Sequence, residues 1–147
     1  MKRLAVILLA ILLVGCQGND LEIFDEKQNI VVEKQVGDED EYEEFNTITD
    51  TKQVEEVRAI LHDTHWKVAQ VDFIRPPDYR FIYKYKNPNI DAKPMLHQIW
   101  ISPKKDALEV MQGPQEYAQL PKAESARLFE ILTGESLPTV KVGPLRY

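Results

Sequence analysis

The residue types able to do chemistry are few and widely spaced. His62-Asp63-Thr64-His65 sets two imidazoles three residues apart, a spacing that places both on one face of a helix, with Asp63 beside them as an oxygen donor. A metal site needs three or four ligands. The remaining histidine, His97, is far along the chain, so the candidate set His62, His65 and His97 forms a site only if folding joins them. The competing role is electrostatic, because positive charge near a helix C-terminus suits the dipole. Asp38-Glu39-Asp40-Glu41, with Glu43 and Glu44, has the charge for calcium but not the pattern. An EF-hand needs Gly at loop position 6 and Glu at position 12, and counting from Asp38 these positions hold Glu43 and Thr49. A solvated acidic loop is expected there. The chain has no G-x-S-x-G and no glycine-rich phosphate loop, its six glycines being scattered. Acids are common, but nothing singles out a pair for glycoside cleavage. The chain is therefore read as non-enzymatic, with no catalytic residue and no cofactor.

Aromatic residues give a second candidate. Tyr79, Phe81, Tyr83 and Tyr85 alternate with Arg80, Lys84 and Lys86, and Trp100 follows in a later apolar run. As cross-strand pairs such rings build a core. Exposed beside cations, the set Tyr79, Arg80, Tyr83, Lys84 and Trp100 would instead suit a peptide, a glycan or a teichoic-type polyanion. Alternation alone does not say which face is wet.

The third reactive residue is the single cysteine. Lys2 and Arg3 precede an uninterrupted apolar run from Leu4 to Val14, and Leu13-Val14-Gly15-Cys16 closes it. Eleven apolar residues suit a secretory signal, whereas a transmembrane helix needs about 20. Leu, a branched residue, Gly and then Cys resemble a bacterial lipobox. That reading predicts cleavage at Gly15-Cys16 and a diacylglyceryl thioether on the Cys16 sulfur, with an N-acyl group on its new amine. It places the chain on the extracytoplasmic side of the cell membrane, held by lipid. One cysteine builds no internal disulfide, and acyl burial is worth about 0.8 kcal/mol per methylene, so Cys16 is read as an anchor. The formal charge of −6 becomes −8 once Lys2 and Arg3 leave. This acidity argues against nucleic acid as a partner and against adhesion to anionic lipid through a basic face. The membrane, a protein or a cell-wall polymer remain as partners.

These residues must be positioned by a modest set of elements. "IVVEKQV" (30–36) reads as a strand with Ile30, Val32 and Val36 on one face. Asp50 is a good N-cap for a helix over 51–63 whose apolar face holds Val54, Val57, Ile60 and Leu61. Strands follow at 66–74, 79–86, 95–102 and 107–111, with a short "EYAQL" after Gly113-Pro114. The 95–102 strand is apolar on both faces, which predicts a central position. Pro121 opens a second helix that buries Ala126, Leu128, Phe129 and Leu132, and Gly134 ends it. The predicted class is α+β: one small domain with an antiparallel sheet of about four to five strands and two helices on one face. Its divisions are a signal peptide at 1–15, lipidated Cys and tether at 16–29, the globular domain at 30–134 and a tail at 135–147.

From Gln53 to Thr133 a helix, "PDYRFIYKY", a polar hairpin loop, "HQIWIS", a turn and a closing helix succeed one another. In this order the chain resembles the YhfM-like small lipoproteins of Bacillus-type bacteria. The resemblance covers somewhat over half of the chain and rests on packing patterns. It implies the anchor and the fold, and implies no catalytic residue.

Overall fold

The computed structural model describes residues 27–137. The signal segment, Cys16, most of the tether and the residues from 138 onward lie outside these described residues. The elements are β1 (Gln28–Val36), β2 (Glu41–Ile48), α1 (Thr51–Asp63), β3 (Lys67–Val68), β4 (Tyr79–Tyr85), β5 (His97–Ile101), β6 (Leu108–Gln112), β7 (Glu116–Gln119) and α2 (Lys122–Thr133). All strands join one antiparallel sheet in the order β2-β1-β4-β5-β6-β7-β3. The class is α+β as expected, but the sheet has seven strands where four to five were predicted.

Register explains the core. Ile30 sits opposite Tyr83 and Val32 opposite Phe81, Phe81 opposite His97 and Tyr79 opposite Ile99, and Ile99 opposite Val110. Directly opposed residues share a face. This face, with Ile48, Ile101, Leu108 and Leu120, forms one buried cluster with Val54, Val57 and Leu61 of α1 and Leu128, Phe129, Ile131 and Leu132 of α2. Both helices therefore cover the same side of the sheet. The cluster extends to Leu137, which is buried three residues beyond the predicted end of the domain. Likewise β1 starts at Gln28, two residues inside the expected tether.

The helix boundaries follow from their caps. Asp50 accepts a hydrogen bond from the Gln53 amide at 3.0 Å, and α1 runs 51–63 as predicted. Gly134 ends α2 in the left-handed region at φ 74°, where a glycine meets no Cβ penalty. One side chain on α2 departs from expectation. Ser125 is fully buried, whereas Ala126 is exposed. The Ser125 hydroxyl accepts from the Leu108 amide at 2.9 Å and donates to the Leu120 carbonyl at 3.1 Å, tying α2 to β6 and to the segment that leads into the helix. Ser125→Ala raises intrinsic helix propensity, yet it leaves the Leu108 N–H buried without an acceptor. The expected net result is a loss of about 1–3 kcal/mol in urea unfolding. A neutral or stabilising outcome would contradict this bonding.

Candidate binding surface

The face of the sheet away from the helices carries the alternate residues of each strand: Glu33 on β1, Arg80, Ile82 and Lys84 on β4, Trp100 on β5 and Tyr117 on β7. The five predicted ligand residues are thus divided. Tyr79 and Tyr83 point to the helix side, while Arg80, Lys84 and Trp100 lie on the other. The division follows from the pleat, because neighbours in a strand point to opposite faces.

Most of what the second face offers is used internally. The Arg80 guanidinium lies 3.9 Å from the centroid of the Tyr42 ring and pairs with Glu33. Tyr42 donates its hydroxyl to the Pro77 carbonyl at 2.9 Å. Trp100 is covered by residues 69–78, which cross the sheet as a strap. The Phe73 ring stacks on Trp100 at 3.6 Å with an interplanar angle of 7°, and the Trp100 indole donates to the Arg75 carbonyl at 3.0 Å. Arg75 and Asp78 fix the strap to β5. Arg75 donates to Asp78 at 2.6 Å and to the Ile101 carbonyl at 2.9 Å, and the Ile101 amide donates to Asp78 at 2.7 Å. Of the five residues, Lys84 alone is exposed, while Arg80 and Tyr83 are half-buried and Tyr79 and Trp100 are buried.

The histidines do not converge. His62 is exposed in the last turn of α1, 3.1 Å from the Asp63 carboxylate, and His65 is exposed beyond the helix end at Thr64. The predicted shared helical face is therefore absent. His97 lies on the helix side of the sheet, 4% exposed, stacked on Phe81 with centroids 4.6 Å apart and edge-on to Tyr83. Among the described residues, no group of three or more His, Cys, Asp or Glu side chains is placed to hold a metal ion.

Burial lowers the His97 pKa from its ordinary value of 6.5, against smaller opposing effects of the Met95 and Phe81 carbonyls and Gln112. Burial likewise pushes the Tyr79 hydroxyl up to about 12, helped by Glu135 and Asp78, and raises that of Tyr83. Below pH 6.5 the unfolded chain protonates His97 while the folded chain resists it. Stability should therefore fall as pH drops from there toward the lower folded-state pKa, by at most about 1.4 kcal/mol per pH unit. Urea midpoints at pH 7.5 and 5.5 should differ more for the natural chain than for His97→Gln. An equal difference in both would remove His97 as the cause.

Sequence reasoning missed one concavity, a shallow cleft of about 450 Å³ where the β5–β6 turn meets the start of α2. Ser102, Asp106, Gln119 and Lys122 contribute to its walls, and Lys122 pairs with Asp106 at 2.7 Å. The hydrogen bond from Lys122 holds the Asp106 carboxyl below its usual range. The turn at 102–106 was legible from its proline and lysines, but its closeness to Lys122 arises only through sheet pairing.

The family model described as YhfM protein matches residues 24–138, well over half of the chain. No curated protein and no solved structure matches it. The matched span takes in every strand and both helices described above, and on that span the chain belongs to the YhfM family.

Proposed function

We propose that this chain is a bacterial lipoprotein, anchored through lipid on Cys16 to the extracytoplasmic side of the cell membrane, whose α+β domain is a non-enzymatic binding module. The observation that carries this reading is Leu13-Val14-Gly15-Cys16 at the end of an eleven-residue apolar run behind Lys2-Arg3. A diacyl group supplies the durable attachment that one chain does not. No helix among the described residues is long and apolar enough to cross a membrane, so attachment in this reading rests on the lipid. The partner classes that suit such a domain are an envelope protein and a cell-wall polymer.

The test is metabolic labelling of cells that express the full chain with a clickable fatty acid. The natural chain should carry label and sediment with membranes, and Cys16→Ser should lose the label. Label retained by Cys16→Ser, or absent from the natural chain, would overturn the anchor.

A further inference from the structure

We infer that the end of the sheet from which the N-terminus leaves docks on a membrane surface bearing anionic headgroups, through Lys84, Lys86 and Lys93 set around Met95 and Leu96. This inference rests on the lipid-anchor reading and gives the anchored domain an orientation.

The net charge argued against such contact, but the longest acidic run lies at the opposite end of the sheet. The acids Asp38, Glu39, Asp40 and Glu41 occupy the β1–β2 turn and the start of β2. Lys84 lies opposite Asn29 at the other end of β1. The amide of Lys86 donates to the Lys27 carbonyl, and its ammonium donates to the Thr49 carbonyl at 3.0 Å, leaving further donors free. Nine strand residues, about 30 Å at 3.3 Å per residue, separate this end from the acidic turn. That distance exceeds the Debye length of about 8 Å at physiological salt, so the distant acids hardly oppose a surface that the lysines touch. The acids at this end are Asp91 in the β4–β5 loop, Asp50 next to the Thr49 carbonyl that holds Lys86, and Glu116 just beyond Gly113, while Lys27 and Lys52 add to the lysines.

The same end exposes apolar side chains. Met95 is 54% and Leu96 38% exposed immediately before β5, where the Leu96 carbonyl holds the Gly113 amide. Flexible apolar side chains rimmed by lysines suit the headgroup boundary, where lysine stems lie along apolar surface while the ammonium meets phosphate. The position of the N-terminus gives the third reason. Eleven residues lie between Cys16 and Gln28, a reach of at most about 40 Å. An anchored Cys16 therefore lets the start of β1, and with it the lysine-bearing end, reach the bilayer, and the lysines with Met95 and Leu96 supply the preference for that orientation.

The full lipidated chain, reconstituted in vesicles of phosphatidylglycerol with phosphatidylcholine or of phosphatidylcholine alone, is treated with an amine-acylating reagent. Modification at each lysine is then read by mass spectrometry. Lys84, Lys86 and Lys93 should react several-fold more slowly in the anionic vesicles, while the exposed Lys104, at the far end of the sheet, reacts alike in both. Equal rates at the two ends in vesicle-bound protein would overturn the docking and leave the anchor standing. Equal protection on phosphatidylcholine alone would overturn docking by charge. Protein that sediments with neither vesicle would overturn the anchor and the docking together.

Discussion

Phe81→Ala is expected to remove about 3–5 kcal/mol of stability, the usual cost of deleting a buried phenyl ring from a packed core. Phe81 is 1% exposed, stands between Val32 and His97 in the register, stacks on the His97 ring and meets Tyr83 edge-on. Deletion opens a cavity at the centre of β4 and strips His97 of its stacking partner. Since domains of this kind are stable by about 5–15 kcal/mol, the variant should unfold at much lower urea or not fold at 37 °C. Lys84→Ala, three residues along the same strand but exposed on the other face, is the matched control and should stay within about 0.5 kcal/mol. A small loss for Phe81→Ala beside a large one for Lys84→Ala would mean that β4 is displaced by one residue, because such a slip exchanges its faces.

Asp78→Ala should be the other severe substitution. The side chains of Arg75 and Asp78 are 30% and 16% exposed, and Asp78 also accepts the Ile101 amide. Its removal leaves the Ile101 N–H and one of the two bonded guanidinium nitrogens of Arg75 without an acceptor, and the Arg75 charge without its partner. Loss of a buried pair's partner costs about 3–5 kcal/mol, and partial exposure of this pair reduces the expectation to about 2–3 kcal/mol. The location of the damage is the distinguishing result. Once Asp78 no longer holds the strap, Phe73 should leave Trp100, giving a red shift in tryptophan emission before global unfolding. Asp78→Asn keeps an acceptor for Ile101 and should cost less. A destabilised Asp78→Ala with unchanged emission would show that the strap is held by other contacts.

The contrast between these residues and the less legible parts of the chain has a physical basis. β4 and β5 were readable because alternation and two-sided apolarity are direct consequences of a central, twice-covered position. Trp100 is apolar on the far face because Phe73 covers it. β2 was not readable. As an edge strand it buries only Ile48, and Glu41, Glu43 and Glu44 face solvent, a composition that blunts edges and resembles a loop. The run 66–74 was read as a strand, but only Lys67 and Val68 pair, with β7. Its apolar residues mark a strap whose Phe73 packs onto the sheet. Ser125 and Ala126 show a similar limit: helical phase alone did not reveal that a hydroxyl was needed to satisfy the Leu108 amide. Separating Tyr79 and Tyr83 from Arg80 and Lys84 needed only the pleat. Knowing which side was covered needed the helices.

The most direct test of the anchored-module reading is the mass of the N-terminal peptide of the full chain recovered from cell membranes. Anchoring predicts a peptide that begins at Cys16 and carries a diacylglyceryl group on that cysteine. A peptide that begins at Met1, or one that begins at Cys16 without lipid, would contradict it.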